Sequence, residues 1–400
     1  MQPIHISDDL CITTQKQTFP DVESTLQNAL AEMSVYCKAN HLKPNPSKTQ
    51  VCSFHLRNRD ARRPLNITWE GQQIQNDPNP VYLRVTLDWT LSFKQHVTRV
   101  RGKVETRNSL LRKLVNSKWG ADPKTVRTTA LGLCLSAAEY ASSAWSRSCH
   151  ARKVDPVIND TCRIVTGCLK TTPVPCLYAL AGIAPPDIRR KVHDHNQRRK
   201  QVSDDRHPLH HHQSTRKRLS SRSSFMDCTQ PLTTSANAAI NEEWISRWNE
   251  NSMSTTWVSR GIVPSQELAT GNGLRWPVWK TLNRLRVQQG RSKHLLKTSK
   301  IISTDMCYCG TQQTMKHLLS CSQAPNCSFD DLAEPTWHCC RMCCLLELPN
   351  LNGDDGRETQ RRRTYKKTVN ELINTNGGHR GIPGACVTLW ISSLRQVSLK

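Results

Sequence analysis

From Asp21 to Asn40 the apolar residues Val22, Leu26, Ala29, Leu30, Met33 and Tyr36 recur every three or four positions, which predicts a helix with one sticky face. Ahead of it, Ile4 and Ile6 flank one side of Asp8 and Asp9, and Leu10, Cys11 and Ile12 flank the other. That reads as strand, tight turn, strand, because Asp favours turns and the flanks are apolar and partly β-branched. After the helix, Pro44 and Pro46 impose a loop, and a short strand resumes from Val51 to Leu56. Two further strands are expected at Leu65 to Trp69 and at Val81 to Leu87, parted by the turn-rich NDPNP. The first ninety residues therefore read as α+β.

The period then becomes helical. Phe93, Val97, Val100, Val104 and Leu111 share one face, while Lys94, Arg99, Arg101, Lys103, Arg107 and Arg112 fall elsewhere. Pro123 suits the first turn of a second helix running to Trp145, and further helices are expected from Pro156 to Cys168 and from Pro175 to Ala181. Residues 189–222 hold eleven Lys or Arg, three Asp, six His and few apolar positions, so they read as a linker or an arm ordered by a partner. The run HPLHHHQ within it fits a solvated basic tract better than a metal site. Aromatic content returns between 238 and 300, where LRWPVWKTLNRLRVQQGRSKHLLK reads as a basic helix.

Composition narrows the class of partner. A net charge of +24 over 400 residues points to a polyanion, and nucleic acid is the commonest one. No stretch reaches the roughly 20 apolar residues that span a bilayer, and the N-terminal residues do not read as a secretory signal. The 18 cysteines accordingly read as reduced thiols, some of them metal ligands, in an intracellular protein.

The sharpest local pattern is MCYCGTQQTMKHLLSC, with Cys307, Cys309, His317 and Cys321. Three thiolates and an imidazole satisfy tetrahedral zinc, and Gly310 lets the chain turn so that backbone amides can face sulfur. A helix beginning near Thr314 would set His317 and Cys321, four residues apart, on one face. The spacing of Cys339, Cys340, Cys343 and Cys344 offers no well-placed fourth partner and is read as no site. The Asp8 and Asp9 pair is open at this level between a solvated turn and a divalent metal site, since two adjacent carboxylates repel unless a cation joins them.

Several stretches match one family in order. SDDLCITTQ, LKPNPSKTQVCSFHL and NPVYLRVTLDWTLSFKQHV resemble the later palm motifs of reverse transcriptases from non-LTR retrotransposons, most like the jockey type. The stretches RTTALGLCLSAAEYASSAW and LYALAGIAPPDIRR are similar to that family's thumb and connecting region, and CYCGTQQTMKHLLSC to its C-terminal zinc knuckle. The family departs from this chain where Ile6 and Ser7 replace an aromatic and an alanine, and where Arg84 replaces a glycine.

The resemblance implies roles by position. Asp8 and Asp9 would be the catalytic carboxylates that bind Mg²⁺ or Mn²⁺, Lys48 would meet the leaving pyrophosphate, and Tyr82, Leu83 and Arg84 would lie in the primer grip. Cys307, Cys309, His317 and Cys321 would hold Zn²⁺ and help retain RNA or target DNA. The implied division is the C-terminal part of the palm at 1–90, a helical thumb and connection at 91–186, a basic, partly disordered linker at 187–237, a basic helical region with the knuckle at 238–330, and an irregular tail at 331–400. The implied activity is RNA-directed DNA polymerisation on an RNA template and a DNA primer or target, in the nucleus and without a membrane. The family also takes a third carboxylate and fingers from an earlier palm segment. The expectation is therefore a truncated polymerase that is inactive alone unless a partner chain supplies that half. An RNA- or DNA-binding module without catalysis and a nonfunctional transposon relic are the alternatives.

Overall fold

A computed structural model describes residues 4–6, 9–55, 60, 62–115, 120–211, 228–250, 257–323, 327–328, 330–335, 389–392 and 395–396. Asp8, Leu56, Cys339, Cys340, Cys343, Cys344 and most of residues 331–400 lie outside the described residues. The chain divides into two units, residues 1–95 with 349–400, and residues 96–348.

In the first unit, β1 (Ile4–Ile6) and β2 (Asp9–Ile12) pair antiparallel with Ile6 opposite Asp9. The expected hairpin is present, but Asp9 opens the second strand rather than sitting in the turn. Helix α1 (Phe19–Ala39) starts where Thr18 accepts a hydrogen bond from the Asp21 N–H, with Pro20 in its first turn. Its buried positions are Leu26, Ala29, Leu30 and Cys37. Tyr36, assigned to that face by period, is exposed, because the stripe Leu26, Leu30, Met33, Cys37 advances by 4, 3 and 4 and leaves position 36 to one side.

Strands β3 (Leu42–Lys43), β4 (Gln50–Val51), β5 (Thr68–Trp69), β6 (Gln72–Gln73), β7 (Gln75–Asn76), β8 (Val81–Tyr82) and β9 (Val85–Thr86) follow. The strand expected from Leu65 to Trp69 shrinks to two residues for a local reason. Gln27 of α1 bonds both the N–H and the carbonyl of Thr68, Glu23 accepts from the Asn66 N–H, and the Asn76 side chain bonds both backbone groups of Leu65. Side chains thus take up backbone groups that a strand would otherwise pair. Leu65, Ile67 and Trp69 still alternate into one core with Leu10, Ile12, Leu26, Leu30, Val51 and Ile74.

The principal sheet runs β1, β2, β10, β4, β7, in which β10 (Leu389–Ser392) is antiparallel to both β2 and β4, and β4 is parallel to β7. A further strand, β11 (Arg395–Gln396), pairs with β3. Both strands fall within residues 331–400, the stretch read as an irregular tail.

The second unit is helical. Helix α2 (Lys94–Leu111) buries Val97, Val100, Val104 and Leu111, as its period predicts, and exposes Arg99, Arg101 and Lys103. Phe93 stands outside it, at φ 58°. Helix α3 (Pro123–Ala130) is capped by the Asp122 carboxylate and has Pro123 at its first position. The single helix expected as far as Trp145 is interrupted. A π turn occupies Leu131–Leu135, short helical turns follow at Ser136–Glu139 and Ser142–Trp145, and Ala141 between them is left-handed. Helices α4 (Asp155–Thr166) and α5 (Val174–Ala181) end at Gly167 and Gly182, both with positive φ.

Helix α6 (Pro186–Ser203) takes up residues 187–203 of the stretch read as a linker. Ile188 and Val192 are buried one turn apart, and several of the helix's charges are paired. Arg190 pairs with Asp155 at 2.8 Å, Arg189 bonds Glu139, and Ser146 donates to Asp194 at 2.7 Å. Lys191 and Asp187 pair with Glu243 and Arg247 of helix α7 (Ala236–Glu250). Composition counted these charges as solvated. Acidic partners on other elements are what let them pack.

The stretch read as one basic helix near Trp276 is two, α8 (Trp276–Arg286) and α9 (Lys293–Thr298). Much of the polar side of α8 is inside. Lys280 and Asn283 are buried, and Arg286 is fully buried and donates to the carbonyls of Leu332 and Thr270. Among the described residues, no helix is long and apolar enough to cross a membrane.

Candidate metal centre

Following α9, the chain crosses Asp305 and returns on itself. Met306 bridges Gln312, the Cys307 N–H donates to the Thr311 carbonyl at 2.7 Å, and the Gly310 N–H donates to the Cys307 carbonyl at 3.0 Å. Gly310 takes φ +84°, a conformation that costs side-chain-bearing residues about 1–2 kcal/mol. Asp305 fixes the approach, because the Lys297 ammonium and the Gln312 amide bond its carboxylate and hold it well below the usual carboxylate range. Helix α10 (His317–Ser320) then presents His317, and Cys321 caps its end. Met315 and Leu318 pack this return against Leu282 and Leu285 of α8.

The result is a cluster of Cys307, Cys309, His317 and Cys321 whose ligand atoms all lie within 4.8 Å of one another. The Cys307 and Cys321 sulfurs are 3.7 Å apart, and Cys309 sulfur is 3.2 Å from His317 Nε2. Tetrahedral zinc with Zn–S bonds of about 2.3 Å separates two sulfurs by roughly 3.8 Å. A disulfide needs only about 2 Å. The donor chemistry fits as well. Burial works against the Cys307 thiolate, but the Cys309 N–H and the side chains of His317, Cys321 and Cys309 outweigh it and bring its pKa down to about 6. The Thr311 hydroxyl and N–H lower that of Cys309, whereas burial raises that of Cys321.

Thr311, which no spacing rule singled out, stands 3.0 Å from the Cys309 sulfur and 3.1 Å from His317 Nδ1, so it orients both donors. Cysteines elsewhere contrast sharply. Cys52, Cys162 and Cys176 are pushed up to about 12, chiefly by burial, and remain neutral thiols. None of the described cysteines is in a disulfide.

The other sequence-assigned residues lie in the first unit. Asp9 begins β2, and Asp8 falls outside the described residues. Lys48 is exposed on the Pro46–Lys48 turn that leads into β4, one strand removed from β2 across β10. Tyr82 packs against the first unit's core, and Leu83 and Arg84 form a two-residue turn between β8 and β9 with φ of 41° and 67°. Two successive left-handed residues make the hairpin turn that matches strand twist and that normally selects Asn or Gly. Arg84 therefore occupies a position that demands positive φ, as the replaced glycine implies.

Asp88 escaped sequence reasoning. Its carboxylate accepts from the N–H of Ser92 and Phe93 and from the hydroxyls of Thr90 and Ser92, tying the end of this hairpin to the approach of α2. Helix α1, the NPS turn and the β8–β9 hairpin do appear in the order the motifs predict.

The chain is 25% identical over 205 residues to a retrovirus-related Pol polyprotein from the type-1 retrotransposable element R1 4 of Nasonia vitripennis, covering 46% of this chain and 52% of that protein. It is 23% identical over 164 residues to a probable RNA-directed DNA polymerase from transposon X-element of Drosophila melanogaster, covering 40% of this chain and 18% of that protein. The chain thus spans about half the length of the first relative and less than a fifth of the second. Both relatives are Pol or reverse-transcriptase proteins of non-LTR retrotransposons, the family that the motifs resemble. No family model and no solved structure matches the chain.

Proposed function

We propose that this chain carries the part of a non-LTR retrotransposon RNA-directed DNA polymerase that runs from the Asp-Asp turn of the palm through the thumb to the zinc knuckle. The observation that carries the reading is the order of the motifs, supported by relatives from two insects whose names describe Pol and polymerase proteins of mobile elements. On this reading Asp8 and Asp9 hold Mg²⁺ or Mn²⁺. Such ions, when bound, neutralise charge that develops on the primer 3′ oxygen and the triphosphate. Lys48 meets the leaving pyrophosphate, and the hairpin at Tyr82, Leu83 and Arg84 holds the primer end. The exposed Arg99, Arg101 and Lys103 of α2 lie along the nucleic-acid backbone. Cys307, Cys309, His317 and Cys321 hold zinc near RNA or target DNA, and the protein works in the nucleus.

Polymerisation in this family takes a third carboxylate from an earlier palm strand, a role that none of the residues assigned above fills. The 400 residues alone are therefore expected to give no templated synthesis. Primer extension with Mg²⁺ on an RNA template tests this, with and without a polypeptide carrying the family's earlier palm and fingers. Synthesis only in the mixture, abolished by Asp8→Ala, supports the assignment. Robust synthesis by the chain alone overturns the requirement for a partner, and failure of every combination favours a second reading, a nucleic-acid binding module without catalysis. That second reading rests on the exposed basic face of α2 and on the net charge of +24.

A further inference from the structure

Tyr308 stands between two of the clustered cysteines and is 80% exposed, more than any other large hydrophobic side chain in the described residues. An aromatic ring left in water on a loose loop would be unremarkable. This one is on a pinned turn, with Cys307 and Gly310 hydrogen-bonded on either side of it and donor groups for a metal immediately before and after. The Lys293 ammonium lies 4.5 Å from the ring centroid and is itself held there by the Met306 carbonyl at 3.0 Å. One face of the ring therefore carries a fixed cation, and its exposure leaves the other to solvent.

The charge along this stretch of sequence is one-sided. Between residues 291 and 321 the sequence holds Arg291, Lys293, Lys297, Lys300 and Lys316 against a single acid, Asp305. That acid is already engaged by Lys297 and Gln312. Arg291, Lys300 and Lys316 are exposed. A pinned, open aromatic face with the Lys293 cation on it, in a stretch of sequence rich in lysine, matches one ligand chemistry, a flat aromatic base attached to a phosphate. A duplex buries its base faces in its own stack, so the fit is to an unpaired strand.

We propose that Tyr308 is a stacking platform for an unpaired base of single-stranded nucleic acid, with Lys293 and its basic neighbours taking the adjoining phosphates. This deepens the nucleic-acid reading of the chain and rests on it. Stacking uses the π-face that every base has, so the site tolerates sequence and discriminates strandedness.

The test is fluorescence anisotropy of the full zinc-loaded chain with labelled 12-nucleotide RNA and DNA single strands and with the matching duplexes. Tyr308→Ala is expected to weaken single-strand binding roughly tenfold while leaving duplex binding within about twofold. Tyr308→Trp should restore it, with zinc content and melting temperature unchanged in both variants. Lys293→Gln should make the salt dependence of single-strand binding shallower by close to one phosphate contact. Unaltered single-strand affinity in Tyr308→Ala, or an equal loss on duplex, overturns the stacking role while the polymerase reading stands. Absence of all nucleic-acid binding by the unmodified chain overturns both.

Discussion

At the scale of single residues, backbone conformation and hydrogen bonding decide more than residue class does. Arg84 sits at φ 67° in a turn that costs a side-chain-bearing residue about 1–2 kcal/mol, partly offset by the extra chain entropy that glycine loses on folding. Arg84→Gly is expected to raise the stability of the first unit by about 0.5–1 kcal/mol, read from the urea midpoint. Asp88 supplies a pH dependence. Burial opposes its ionisation, but the bonds from Ser92, Thr90 and Phe93 prevail and hold it below its ordinary value of 3.8. A depressed carboxylate adds stability in full above its unfolded pKa and loses it as pH falls through the lower folded one. Between pH 5 and pH 2, Asp88→Asn should therefore lose less stability on acidification than the parent chain, as followed by thermal melts. The cluster of Cys307, Cys309, His317 and Cys321 was legible because a spacing that suits a metal can be read along the sequence. Thr311, Asp88 and Tyr308 were not, because their roles depend on which backbone groups and cations fold back onto them.

At the scale of elements, the clearest case is the end of α4. The last carbonyls of a helix lack partners within it. Here side chains of α8 supply them, with Trp279 donating to the Val165 carbonyl at 3.1 Å, Asn283 to Thr166 at 3.0 Å and Arg284 to Gly167 at 2.9 Å. That is why α8 carries tryptophan, asparagine and arginine on an inward face, and why a basic amphipathic pattern did not mean a solvent-facing helix. Gly167 is held both by its left-handed φ and by closeness to α8, since a Cβ there would fall 2.2 Å from that of Lys280. Gly167→Ala should cost at least about 2 kcal/mol and lower the melting temperature of the second unit. The starts of α4 and α5 were readable from Pro156 and Pro175, whereas the end of α4, expected at Cys168, comes earlier because Gly167 takes a left-handed φ. The existence of α6 was not readable, because ion pairs with Asp155, Glu139 and Glu243 are contacts between distant segments that composition cannot express.

At the scale of the molecule, the formal charge of +24 overstates what is free to meet phosphate. Arg127 donates to the carbonyls of Ala181, Gly182 and Gln266, and Arg189, Arg190 and Arg286 are likewise committed inside the second unit. The cysteine cluster anchors the segment carrying Met315 and Leu318, so metal removal should be felt beyond its ligands. Treatment with a strong chelator is expected to lower the melting temperature and to release about one zinc per chain, and Cys309→Ser should purify nearly zinc-free. The principal sheet carries one last implication, for biosynthesis. Strand β10 lies between β2 and β4, yet it follows β4 by roughly 340 residues of sequence. At a translation rate of about 5–20 residues per second, β2 and β4 each present an open hydrogen-bonding edge for some tens of seconds before their shared neighbour is made. The sheet of the first unit therefore closes only late in synthesis, after its other strands have already been made.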